Sequence, residues 1–221
     1  MDRNLNELLK WGIENSTEPI PTTAAEAQQA NPSPNGLNQE ILAALMGGPS
    51  DADLMKAAVE NITSSDPEIT LESKLIAFDN LEQLIESLDN ANLLAKLGLW
   101  TPLLELLGHD EAELRLMAAW CIGTAVQNNE PCQERLVALG GVERLCAMAL
   151  GDRAAETKDV RRKAVYALSS ACRNYQPAMD VLSSELAKRE GKTAETGQVD
   201  ATNMDAVDVV INGLREKALS A

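Results

Sequence analysis

Trp120, Thr124 and Gln127 follow one another at steps of four and three residues, and Tyr166, Ser170 and Arg173 repeat that pattern 46 positions on (120 to 166). On a helix such steps place side chains along one stripe. An aromatic ring followed by hydroxyl, amide or guanidinium groups is chemistry for gripping a surface: the ring supplies area and the polar groups supply direction. Residue types for making and breaking bonds are scarce. His109 is the only histidine, no Gly-rich loop opens a helix after a strand, and no Gly-x-Ser-x-Gly occurs. General acid–base and nucleophilic catalysis therefore have no candidates. Cys121, Cys132, Cys146 and Cys172 form no Cys-x-x-Cys pair, so metal-ligand spacing is absent. No enzyme activity, cofactor or metal is expected, and what remains is a binding protein.

The elements that must position these side chains come from a repeat. Leu114, Met117, Ala118, Cys121, Ile122 and Ala125 recur at steps of three and four, one buried helix stripe; Trp120, Thr124 and Gln127 lie roughly 120° away from it at about 100° per residue. Shifted by 46, Arg115 falls on Arg161, Ala118 on Ala164, Trp120 on Tyr166, Asn128 on Asn174 and Pro131 on Pro177. Shifted back by 41 (115 to 74), Arg115 falls on Lys74, Ala118 on Ala77 and Ile122 on Leu81, which puts Asp79, Gln83 and Glu86 on the matching stripe. Periods in the range of about 40–47 residues mark stacked helical repeats. The expected fold is all-α: an armadillo-like right-handed helical solenoid with short capping helices and a flexible N-terminal segment. In such a stack the longest helix of each repeat lines the concave side, which would carry the stripes. Trp120 and Tyr166 also suit packing between repeats, and both readings stand at this point.

Composition narrows the partners. The net charge of −15 over 221 residues argues against nucleic acid and against an anionic membrane, both of which need clustered cations. Lys158, Arg161, Arg162 and Lys163 form the one basic cluster of note, read as a solvated helix start. No run approaches the length of about 20 apolar residues needed to span a bilayer, and the N-terminus has no apolar signal core. A reducing, soluble compartment is expected.

Along the chain, residues 3–15 pattern as a short amphipathic helix with Leu5, Leu8, Leu9 and Ile13 on one side and Trp11 nearby; residues 16–38 read as a disordered linker. Residues 39–190 form the repeat domain. Its helices break at Asp89–Asn92, Gly98, Gly108 and Gly140-Gly141, and Asp110 with Glu113 resembles a capping box for a helix over 111–128. Residues 191–203 read as a second linker, and residues 204–221 as a final helix with Val207, Val210, Ile211 and Leu214 on its apolar side, which either caps the stack or docks elsewhere.

The segments LLKWGIENS, GGPSDADLMK, LESKLIAFDNLEQLIESLDNANLLAKLGLWTPLLELL, RLMAAWCIGTAVQNNEPCQ and RKAVYALSSACRN together resemble the armadillo-type nucleotide exchange factors of the 70-kilodalton heat-shock chaperones. The similarity runs to about residue 187. It implies a non-enzymatic, cytoplasmic, monomeric factor whose concave repeats grip one lobe of the chaperone's nucleotide-binding domain and hasten ADP release. It implies further that the N-terminal helix, Leu5 to Ile13, frees client from the substrate-binding domain. Carried over by motif, Asn90-Ala91-Asn92, taken as a loop, and Gln127-Asn128-Asn129 join the stripes as partner-binding residues. Longer relatives continue into further repeats where this chain has only its last helix. The alternative is an armadillo adaptor that holds an extended peptide on a Trp–Asn ladder, against which Thr124 stands where the Asn is needed.

Overall fold

The computed structural model describes residues 47–154, 156–191 and 199–220; the N-terminal helix, the first linker and residues 39–46 lie outside the described residues. All of the architecture below belongs to the unit Asp51–Ala221. Ten helices follow in order: α1 Asp51–Thr63, α2 Leu71–Ile85, α3 Leu88–Lys96, α4 Trp100–Leu106, α5 Ala112–Ala125, α6 Glu130–Ala138, α7 Gly141–Leu150, α8 Lys158–Cys172, α9 Gln176–Arg189 and α10 Met204–Leu219. Among the described residues there is no strand, and no helix is long and apolar enough to cross a membrane.

The long helices form a ladder. α1 packs on α2, α2 on α5, α5 on α8 and α8 on α10, while α3, α4, α6, α7 and α9 back them. This is the armadillo-like solenoid that the period requires. The central helix α5 lies between two neighbours, so its burial exceeds one stripe: Ala119 and Gly123 are buried beside Leu114, Met117, Ala118, Cys121, Ile122 and Ala125. Small residues there let α8 approach closely. α10 extends the ladder by burying Val207, Ile211, Leu214 and Ala218.

One repeat-related position fixes the stack. Lys74 Nζ donates to the Ser64 carbonyl just past α1 at 2.7 Å. Arg115 donates to the His109 and Asp110 carbonyls beyond α4, each at 2.7 Å. Arg161 Nε donates to Ala149 O in the last turn of α7 at 3.1 Å, and its Nη2 to Lys217 O in α10 at 2.7 Å. A helix ends with carbonyls that lack intrahelical partners and with the negative pole of its dipole. A cation from the next long helix satisfies both. Buried Arg115 and Arg161 thus act as clasps, which places Arg161 outside any solvated basic cluster.

Other sequence expectations are corrected as well. Asn90, Ala91 and Asn92 are not a loop but part of α3. Asp110 does not cap α5, whose N-cap residue Glu111 makes no side-chain capping bond; Asp110 pairs instead with Arg153 at 2.7 Å. The segment at 199–203 is not free linker: Ala201 is fully buried, its carbonyl accepts from Asn174 N at 2.9 Å, and Gln176 Nε2 donates to Val199 O at 2.8 Å. Those bonds satisfy the backbone around Asn174, which takes the left-handed conformation at φ 57° as its repeat partner Asn128 does at φ 51°, a geometry asparagine tolerates.

All four cysteines are free and buried. Burial pushes the Cys132 and Cys146 thiols up to about 11 and Cys172 to about 12, and raises Cys121 further still. The folded chain therefore keeps protons that the unfolded chain sheds near the ordinary thiol value of 9.0. Stability from this source is full below pH 9 and is lost as pH rises toward those folded values. Native protein at pH 8 is expected to leave a thiol-reactive dye unconsumed for hours, with all four thiols titrating once denaturant is added. Rapid labelling of the folded chain would contradict this packing.

Candidate functional site

The ladder face of α2, α5 and α8 holds two adjoining hollows. One is lined by Glu82, Ile85, Glu86, Leu88 and Ala91 from the α2–α3 side, Thr124, Gln127 and Asn128 from the end of α5, and Tyr166 from α8. The other is lined by Leu116 of α5, Asp159, Arg162, Lys163 and Tyr166 of α8, and Arg215 and Leu219 of α10. Tyr166 belongs to both.

A polar and aromatic lattice ties the three long helices across this face. Thr124 Oγ1 donates to Glu82 Oε1 at 2.7 Å. Lys163 Nζ sits 3.7 Å from the centroid of the Trp120 ring and 5.5 Å from that of Tyr166, within the range where a cation is attracted to a ring face. Burial lowers the Lys163 pKa from its ordinary value; the nearby Glu82 carboxylate works against that, and Arg162 adds to it. Trp120 and Tyr166 are both half-buried. The two rings divide the roles: Trp120 packs against the core beneath Lys163, while Tyr166 packs on α5 and lines both hollows.

Gly123 sets the position of Tyr166. A Cβ there would stand 2.6 Å from Tyr166 Cε1 and 3.1 Å from Ala167 Cα. The ring rests on the bare backbone of α5. Gly123→Ala is expected to destabilise the fold by up to about 2 kcal/mol, since overpacking costs about 1–3 kcal/mol and the helix-propensity gain of roughly 1 kcal/mol offsets part of it. Urea denaturation and the tyrosine ring signals in NMR check both the loss and the displaced ring; an unchanged ring environment would contradict the packing.

The structure gathers only some of the sequence candidates. Glu86, Ala91, Thr124, Gln127, Asn128 and Tyr166 meet in one hollow, and Trp120 adjoins it through Lys163. Asp79 is exposed on α2. Gln83 turns the other way, into a hollow between α1 and α2 with Leu54, Ile76 and Leu84. Ala91 is buried to 1% exposure and Asn129 to 4%. Asn90 Nδ2 is spent on Leu84 O and Asp51 Oδ2, at 3.0 and 2.9 Å. Asn92 Oδ1 accepts from Cys132 Sγ at 3.6 Å. Asn90 and Asn129 sit in the core and Asn92 is half-buried, whereas Ala91 combines deep burial with a place in the lining of the hollow, so Ala91→Arg would disturb packing and lining together. Ser170 is half-buried and lines neither hollow. Arg173 is turned to α10, where it pairs with Asp208 and meets Met204 Sδ and Ser169 Oγ. Leu5, Leu8, Leu9, Trp11 and Ile13 lie outside the described residues.

Sequence reasoning missed Glu82, Lys163 as a groove residue, and Arg215. The signal for Lys163 was present, three residues before Tyr166 and so on its face of α8. Among the described residues no group of three or more His, Cys, Asp or Glu side chains is arranged to hold a metal.

Residues 5–94 match the family model described as nucleotide exchange factor Fes1, and residues 90–185 match that of the SIL1/FES1/HPBP1 C-terminal domain. A Gibberella zeae protein named Hsp70 nucleotide exchange factor FES1 is 60% identical over 98% of this chain and 97% of its own length. This chain belongs to the Fes1 family. A Neurospora crassa Fes1 protein of the same description is 51% identical across the full length of both. A Scheffersomyces stipitis member is 42% identical over 79% of this chain but only 57% of its own length, so Fes1 proteins come in more than one length. No solved structure matches this Fes1-family chain significantly.

Proposed function

We propose that this chain is a non-enzymatic nucleotide exchange factor for Hsp70, binding the chaperone's nucleotide-binding domain through the ladder face of α2, α5 and α8. The observation that carries this reading is the single hollow in which Glu82, Glu86, Thr124, Gln127, Asn128 and Tyr166 converge from successive repeats, in a chain of the Fes1 family. Such a face needs no contact with nucleotide. If the groove fits the open domain better than the closed one, its binding energy shifts the domain open, and ADP affinity falls by the same factor by which ADP weakens the groove's own hold. Each tenfold in that coupling takes about 1.4 kcal/mol of differential contact.

Reciprocity supplies the test. The dissociation constant of this protein for the chaperone domain, measured by calorimetry, is expected to rise at least tenfold when ADP is present. Equal affinity with and without ADP would refute exchange and leave a partner that binds without opening. A peptide adaptor is the weaker reading, because Thr124 spends its hydroxyl on Glu82 and cannot serve in a ladder of free side-chain amides.

The factor acts as a cytoplasmic monomer, without nucleic acid or membrane; its net charge of −15 supports this. The N-terminal segment with Leu5, Leu8, Leu9, Trp11 and Ile13 acts on the substrate-binding domain. Deleting residues 1–38 is expected to leave ADP-release acceleration within about twofold of the full chain while slowing release of a labelled client peptide. Loss of ADP-release acceleration in that variant would move the segment's role to the exchange step.

A further inference from the structure

We infer that the last helix, α10, is part of the partner-binding surface: with α8 it forms a cationic hollow that takes a carboxylate-bearing element of the partner carrying an apolar side chain beside its acids. The inference rests on the exchange-factor reading and adds to it the direction in which the partner lies.

The hollow is built from Arg162, Lys163 and Arg215 around Tyr166, with Leu116 and Leu219 as its apolar wall. Three cations converge there against one carboxylate, Asp159, which stands 3.8 Å from Arg162 in an exposed pair. Elsewhere on α8, α9 and α10 most cations are matched: Arg173 to Asp208, Lys188 to Glu185, Arg189 to Asp152 and Glu185, Lys217 to Glu190. Arg161 is buried on carbonyls. Among the described residues Lys163 and Arg215 form no ion pair with a carboxylate; Arg215 Nη1 donates only to the Asn212 side chain, at 2.9 Å. Leu219 is left 52% exposed at the rim. In a chain of net charge −15, a local excess of unmatched cations over a ring and an exposed leucine is suited to an acidic, partly apolar element.

The opposite end of the face carries the opposite sign. Glu82 and Glu86 line the neighbouring hollow, and Asp79 lies one turn away on α2. The groove is thus a dipole, acidic at α2 and cationic at α8–α10. A partner surface of uniform sign fits one end and is repelled by the other. Only a partner with its acids toward α10 and its cations toward α2 is accepted, and the reversed pose places like charges together at both ends. α10 supplies Arg215 and Leu219 to this end of the groove.

The test uses the full chain with Arg162→Glu and Arg215→Glu together; both side chains are exposed, so the melting temperature is expected to stay in place. Stopped-flow binding to the chaperone's nucleotide-binding domain at low salt is expected to show an association rate lowered about tenfold or more, with the wild type's salt dependence largely abolished. A second variant, Leu219→Ser, is expected to raise the dissociation rate several-fold while leaving salt dependence alone. Unchanged association by the double variant, with wild-type ADP-release acceleration intact, would overturn the role of α10 and leave the exchange reading standing. A wild type that neither binds the chaperone nor speeds ADP release would overturn both.

Discussion

Glu156→Ala is expected to lower the free energy of unfolding by about 3 kcal/mol, toward the low end of the range of about 3–5 kcal/mol for breaking a buried ion pair. Arg115 and Glu156 face each other through two bonds, Nε to Oε2 at 2.9 Å and Nη2 to Oε1 at 2.6 Å, with side chains only 5% and 2% exposed. Removing the carboxylate strands a guanidinium in the stack. The His109 and Asp110 carbonyls still hold one edge of it, which keeps the loss from the top of the range. The pair also fastens the loop before α8 to the start of α5, so the damage propagates between repeats. Asp110→Ala is the control, since that carboxylate is 95% exposed in its pair with Arg153 and its loss is expected to leave the urea midpoint in place. Equal urea midpoints for Glu156→Ala and wild type would show that the clasp carries no net stability.

Tyr166→Ala is expected to raise the concentration of this protein needed for half-maximal ADP release by about 30-fold, from the loss of roughly 2 kcal/mol or more that a central aromatic contact contributes. The ring lines both hollows and is held in place by the Gly123 backbone beneath it and by Lys163 beside it. A ring already fixed pays little ordering entropy on binding. Removing it empties the middle of the face and frees Lys163, so the acidic and cationic ends lose their common wall. Tyr166→Phe keeps the ring and is expected to stay within a few-fold of wild type. A Tyr166→Ala protein that remains folded by circular dichroism and exchanges at the wild-type concentration would remove this ring from the contact.

Much of this architecture was legible because it repeats. The apolar steps through α5, the Asn128–Asn174 pair and the Pro131–Pro177 helix starts all follow from one sequence compared with itself, and the helices stand where that comparison puts them. The site was less legible for a geometric reason. Lys74 and Arg115 correspond at a shift of 41, yet Thr124 pairs across the stack with Glu82, 42 positions away. One residue rotates a helix face by about 100°, which turns Gln83 out of the groove and brings Glu82 into it. Buried cations were opaque for another reason. Arg115 and Arg161 look like surface residues by type, and only their folded partners explain them: the His109 and Asp110 carbonyls with Glu156 for the first, the Ala149 and Lys217 carbonyls for the second. The shared register of Lys74, Arg115 and Arg161 was the available sign. Asn90-Ala91-Asn92 reads as a loop because small polar and small apolar residues suit a turn as well as a tight helix contact. Arg173 was claimed by α10, a neighbour whose docking no local pattern announces.

The central claim is that a helical groove opens another protein's nucleotide site from outside. Its most direct measurement is the release rate of a fluorescent ADP analogue from the isolated nucleotide-binding domain of Hsp70, chased with ATP, as this protein is titrated into excess. The expected rate climbs at least tenfold and levels off hyperbolically as the groove saturates. A release rate that stays flat through saturating protein would contradict it.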